Sequence, residues 1–138
     1  MFSWNDLIKV SKSLQKYAPV NSRVSEGFWR AAVSRAYYAV YHASLDYASR
    51  NGYRYNAYRT VLSTRPGYTS GLGSHAVLAQ FLLDQPDTRV RGLGAMLSRC
   101  KRKRVECDYI STVTVDNTYV NDAFLQTDSI QTLIPTLP

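Results

Sequence analysis

Arg35 and His42 stand seven residues apart, and on an α-helix seven residues make two turns, which return the side chains to within about 20° of each other. They would share one face. An imidazole that titrates near neutrality can take the proton of a ribose 2′-hydroxyl or hand one to a leaving 5′-oxygen, while a permanently charged guanidinium stabilises a crowded phosphorane. That is chemistry for cutting RNA at a phosphodiester and leaving a 2′,3′-cyclic phosphate. The 10 Asp and Glu residues are scattered, with no pair at helical spacing beside His42, which argues against a two-metal nuclease. Neither a metal nor another cofactor is expected. The plainer reading of the same residues is structural: a histidine on an apolar helix is commonly a satisfied core group, and Tyr37, Tyr38 and Tyr41 are commonly packing residues with hydrogen-bonded hydroxyls.

The elements that must position this pair can be traced along the chain. Residues 3–18 place Trp4, Leu7, Ile8, Val10, Leu14 and Tyr17 near helical spacing, with Ser3 and Asp6 as a capping box. Pro19 and Asn21-Ser22 break that helix. A long second helix runs from about Ser25 to Arg50 and stops at Asn51-Gly52. Residues 51–73, with their glycines, tyrosines and arginines, read as a long connecting loop. Ser74 is expected to cap a short apolar helix, and Pro86 to open another that ends near Tyr109. Ile110 to Val115 reads as a connector, followed by a last helix from the cap residues Asp116, Asn117 and Thr118 to about Leu133. The expectation is a single all-α domain over residues 1–138, an antiparallel bundle of four to five helices, because no sheet is offered for the apolar faces to bury against.

Composition bounds the function classes. The chain has 138 residues, 17 Lys and Arg against 10 Asp and Glu, and a formal charge of +7, so an anionic partner such as nucleic acid is favoured. No apolar run is long enough to span a membrane, and the first residues lack the pattern of a signal peptide, so a cytoplasmic location is expected and no membrane partner. Cys100 and Cys107 fall about 10 Å apart along one helix and cannot pair. They read as buried thiols. The run Arg99-Cys100-Lys101-Arg102-Lys103-Arg104 holds five cations in six positions, which must wrap more than one helix face, so some meet solvent or phosphate. Tyr53, Arg54, Tyr55, Tyr58, Arg59, Arg65 and Tyr68 interleave rings with cations, a mixture suited either to unpaired bases or to a disordered loop. His75, at a helix start where a positive charge is disfavoured, reads as structural.

The string Ser34-Arg35-Ala36-Tyr37-Tyr38-Ala39-Val40-Tyr41-His42-Ala43 resembles the signature of the HEPN family, the higher eukaryote and prokaryote nucleotide-binding domains. A second string, Arg104-Val105-Glu106-Cys107-Asp108-Tyr109, is similar to the Arg followed by Asp-Tyr that closes a later helix in many members. The two strings cover about a tenth of the chain. The resemblance implies a small helical bundle paired two-fold, with Arg35 and His42 as the catalytic residues of an Arg-x6-His metal-independent endoribonuclease. Two copies of the second helix would then face each other around one phosphate of single-stranded RNA. Arg30, Tyr38, Arg99, Lys101, Arg102, Lys103 and Arg104 are the expected substrate-binding residues. A toxin or antiviral defence effector is implied, with an antitoxin or a larger nucleoprotein defence complex as partner. The family's ribonucleases often carry a polar residue after the motif Arg, and here it is Ala36; the alternative is a catalytically inactive HEPN-like RNA-binding or complex-assembly subunit.

Overall fold

A computed structural model describes residues 1–20 and 23–138; Asn21 and Ser22, read from sequence as part of the first break, lie outside the described residues. The order of elements is α1 (Trp4–Lys16), α2 (Arg23–Arg50), α3 (Tyr55–Ser63), α4 (Ser74–Leu83), α5 (Thr88–Tyr109), α6 (Asn117–Leu133) and a single 3₁₀ turn (Ile134–Thr136). Among the described residues there is no strand. The all-α expectation therefore stands, and none of the helices is long and apolar enough to cross a membrane.

Local chemistry explains most of the boundaries. At the start of α1 the Asp6 carboxylate accepts the Ser3 backbone N–H at 3.0 Å, which satisfies one of the donors every helix leaves free. At the end of α2, Gly52 takes φ +91° and the Tyr53 N–H reaches back to the Ala48 carbonyl at 2.9 Å. That closure needs a residue without a Cβ penalty in the left-handed region, as Asn51-Gly52 foretold. Two caps differ from expectation. Gly73 precedes α4, with Ser74 already helical, and Asp87, one residue past Pro86, caps α5 by accepting the Arg89 N–H at 2.8 Å.

Residues 51–73 are not one loop. They contain α3, because Tyr55, Tyr58 and Leu62 recur at helical spacing and turn inward onto the core. Leu62 is buried, and Tyr53 and Tyr58 meet Phe81 with ring centroids 5.0 and 5.2 Å away. The Tyr58 hydroxyl donates to Asp84, whose carboxylate also pairs with Arg65 at 2.7 Å. The rings and cations that could have served unpaired bases are here partly spent on packing α3 and its following turn against α4.

The 28 residues of α2 reach about 40 Å and pack against α1, α4, α5 and α6. One face, with Tyr37, Val40, Tyr41, Tyr47 and Ala48, joins Val77, Leu78, Leu82, Leu93, Leu97 and Ile130 in one core cluster. The other face is mostly small: Ala32, Val33, Ala36 and Ala39 meet Ile8, Val115, Val120, Ala123 and Phe124. A helix surrounded on several sides buries residues around most of its circumference, so the period of α2 is blurred while its position is central. At Gly94 the backbones of α4 and α5 come close together. A Cβ on Gly94 would stand 2.9 Å from both the Ala79 carbonyl oxygen and the Leu83 nitrogen.

Candidate functional site

His42 lies on α2 and is half-buried. Trp4, brought over by α1, stacks on its imidazole with ring centroids 4.0 Å apart and planes 10° from parallel. The indole N–H donates to Asp46 at 3.0 Å, one turn beyond His42, which fixes the indole over the ring. Tyr41 meets the imidazole edge-on at 5.1 Å, and Tyr38 lies 6.5 Å away on the preceding turn. Neither ring nitrogen of His42 has a hydrogen-bond partner among the described residues. Desolvation by these neighbours lowers its pKa below the ordinary 6.5, with the Asp46 charge opposing. The imidazole is therefore neutral at physiological pH, which suits a proton acceptor.

Arg35 is exposed, and no hydrogen bond or ion pair engages it among the described residues. Its position on α2 is about 10 Å along the axis from that of His42. Ala36, beside it, is fully buried in the small-residue cluster.

A different guanidinium approaches the aromatic group. Arg104, on α5, donates from Nη2 to the Tyr38 hydroxyl at 2.5 Å and is flanked by the Tyr38 and Tyr109 rings at 5.1 and 5.3 Å. Its Nε stands 2.8 Å from Asp108, an ion pair without hydrogen-bond alignment, since that nitrogen is buried and has no hydrogen-bond acceptor. Ser34 donates to the same carboxylate at 3.3 Å. The two sequence strings that carried the resemblance thus meet in space, through Ser34 and Tyr38 on α2 and Asp108, Tyr109 and Arg104 on α5.

The other expected substrate-binding residues divide. Lys101 is half-buried without a hydrogen-bond or ion-pair partner among the described residues, and its charge is felt at His75 beside the aromatic group. Arg99 and Arg102 are exposed, and Arg99 borders α6 with Met96, Leu125 and Gln126, away from His42. Lys103 pairs with Asp122 at 2.6 Å and lies over the Tyr119 ring at 4.2 Å. Arg30 is committed to the fold: it pairs with Glu26 at 2.8 Å and donates to the carbonyls of Cys107 at 2.9 Å, Glu106 and Ile110 at 3.2 Å, and Val113 at 2.5 Å. It ties together carbonyls at the C-terminal end of α5 and in the connector that follows, a place where helix carbonyls run short of donors. A cleft of about 430 Å³ borders Arg30 with Arg23, Glu26 and Asp108; His42 does not line it.

Sequence reasoning missed Trp4 and Asp46 as neighbours of His42. The four-residue interval from His42 to Asp46 was a readable signal, whereas Trp4 reaches the site only through the packing of α1 on α2. The two cysteines are free and buried, and burial pushes the Cys100 thiol up to about 12 and the Cys107 thiol up to about 11. Both are inert as nucleophiles at neutral pH. Among the described residues no three His, Cys, Asp or Glu side chains gather as metal ligands. No family model matches the chain, and no curated protein or solved structure shows significant similarity to it.

Proposed function

We propose that the chain is a metal-independent endoribonuclease of HEPN type, acting on single-stranded RNA as a homodimer, in the manner of a cytoplasmic toxin or antiviral defence effector. The observation that carries this reading is His42: a half-buried imidazole whose burial disfavours the charged form, with both ring nitrogens unclaimed among the described residues, on the same helix as an exposed Arg35 that none of those residues pairs. In the reaction His42 accepts the 2′-hydroxyl proton, the 2′-oxygen attacks phosphorus, and the bond to the 5′-oxygen breaks. A 2′,3′-cyclic phosphate and a 5′-hydroxyl result. Arg35 stabilises the nonbridging oxygens as charge builds on them. Two copies of α2 facing each other would bring a second guanidinium and a second imidazole to the same phosphate, and the imidazolium formed on taking the 2′-hydroxyl proton would return that proton to the leaving 5′-oxygen.

Labelled single-stranded RNA incubated with the purified chain in EDTA tests this. The wild type cuts, and His42→Ala and Arg35→Ala each lose at least about 100-fold in rate. Equal cutting by all three proteins, or none by any, overturns the assignment. Ala36 favours a second reading. Wholly buried beside Arg35, it offers no polar atom to a substrate, as an RNA-binding or complex-assembly subunit would tolerate; retention of RNA without cutting selects that reading.

A further inference from the structure

His75 stands at the start of α4, 33 residues from His42 in sequence, yet the two imidazoles flank the same pair of tyrosines. Tyr41 stacks on His75 with centroids 4.1 Å apart and meets His42 at 5.1 Å. Tyr38 lies 6.0 Å from His75 and 6.5 Å from His42. The His75 ring is held in a known sense. Its Nδ1 is 2.5 Å from the hydroxyl of Tyr37, a buried phenol whose pKa burial raises far above the usual value. Such a phenol keeps its proton and donates it, so the neutral imidazole carries its own proton on Nε2.

That Nε2–H has no acceptor among the described residues, and two side chains on α5, one of them bonded to the Tyr38 hydroxyl beside His75, also hold unspent donors. Arg104 uses Nη2 on Tyr38 and places Nε against Asp108, which leaves Nη1 without a partner. Lys101, one turn earlier on α5, has none. Burial first, then Arg104, Lys101 and His42, make protonation of His75 unfavourable, and the carboxylates bonded into this group are Asp108, paired with Arg104, and Asp46, held by the Trp4 indole. Half-buried donors with no acceptor are what an anion would satisfy.

We propose that His75, Lys101 and Arg104 form with His42 a phosphate-binding cleft contained within one chain, its floor the rings of Tyr38 and Tyr41, its ligand a phosphodiester of RNA. The ligand class rests on the ribonuclease reading; the cleft itself does not require that the bound phosphate be cut. His75 binds through Nε2–H while neutral, and a bound anion raises the basicity of both imidazoles. Each copy in a dimer would then hold the strand at a phosphate of its own.

The chain has two histidines, so NMR of the full-length protein resolves both imidazoles, and inorganic phosphate is a sufficient probe. Both ring signals should move along one saturation curve, with both histidine pKa values rising at saturating phosphate. Lys101→Ala, at a half-buried side chain, should keep the circular dichroism of the wild type and weaken phosphate binding about five- to tenfold, as loss of one charged hydrogen bond does. His75→Asn keeps an acceptor for Tyr37 but shortens the reach of the donor, and should weaken binding by a similar factor. If phosphate moves the His42 signal and leaves His75 unmoved, or moves neither, or binds Lys101→Ala as tightly as wild type, the cleft is overturned. Phosphate binding to both imidazoles in a protein that cuts no RNA supports the cleft and removes the ribonuclease reading. RNA cleavage with a silent His75 does the reverse.

Discussion

Trp4 lies flat on His42, the two ring centroids 4.0 Å apart, although α1 and α2 are separate helices and nothing in the spacing of either announces the pair. The indole keeps water from one face of the imidazole and draws Asp46 onto its own N–H. It thereby controls two influences on the proton affinity of His42, one that lowers it and one that raises it.

Removing that indole should raise the His42 pKa toward 6.5. Trp4→Ala admits water to the ring face and frees Asp46 to act on the imidazole, and both changes favour the charged form. Trp4→Phe restores the cover without the Asp46 bond, so its pKa should fall between the two. An NMR pH titration reads the shift; a lower pKa in Trp4→Ala would refute the account. The same substitution should cost about 1–2 kcal/mol of stability, as partial loss of a packed aromatic does.

Stability should also depend on pH through the two histidines. Both have folded-state pKa values below the ordinary 6.5 because burial disfavours the charged ring. The unfolded chain therefore binds more protons in the interval below 6.5, and stability falls as pH drops through that interval and rises again toward neutrality. The charged groups facing His42 are Asp46 on α2 and, through His75, Arg104 and Lys101 on α5. Urea titrations from pH 7.5 to 5 should show the midpoint declining, and a double His42→Gln, His75→Gln variant should flatten the decline.

Two glycines of α5 predict opposite outcomes for the same substitution. Gly94→Ala drives a Cβ to 2.9 Å from backbone atoms of Ala79 and Leu83, which cannot move as a side-chain end can. It should destabilise by about 1–3 kcal/mol through forced separation of α4 and α5. Gly92→Ala meets nothing within 4 Å and should stabilise by about 0.5–1 kcal/mol, the usual gain of alanine in a helix interior. Thermal unfolding of the two variants side by side distinguishes this from a shared effect of helix propensity.

Arg30 should prove important for folding and unimportant for RNA. Arg30→Ala strips donors from carbonyls at the end of α5 and from Glu26, and should cost about 2–4 kcal/mol in denaturant unfolding. RNA binding by Arg99→Ala/Arg102→Ala, at two exposed cations without a partner among the described residues, should instead weaken with no change in stability, and its salt dependence should lose about 0.7 of a log unit of slope per phosphate contact removed. Equal salt slopes in wild type and the double variant would place the RNA elsewhere.

What could be read from the chain alone was whatever is local. Apolar periodicity, the Asn51-Gly52 stop, the Ser3-Asp6 cap and the lack of strand partners for the short β-branched run from Ile110 to Val115 were enough for an all-α protein with a long α2 bearing Arg35 and His42. The interval Arg35 to His42 is likewise a property of one helix, and so is the crowding of cations from Arg99 to Arg104. Helix α3 escaped notice because its tyrosines resemble the residues of an exposed loop until Phe81 and Asp84 are placed against them. Tertiary packing decided which side chains remained available. It turned Arg30 and Lys103 inward to partners on α5 and α6, set Arg104 on Tyr38, laid Trp4 over His42, and brought His75 across from α4 to the same two tyrosines. Helical spacing reports which residues share a face, but the neighbour that covers, charges or spends a side chain comes from another helix, and that relation is absent from any one segment of sequence.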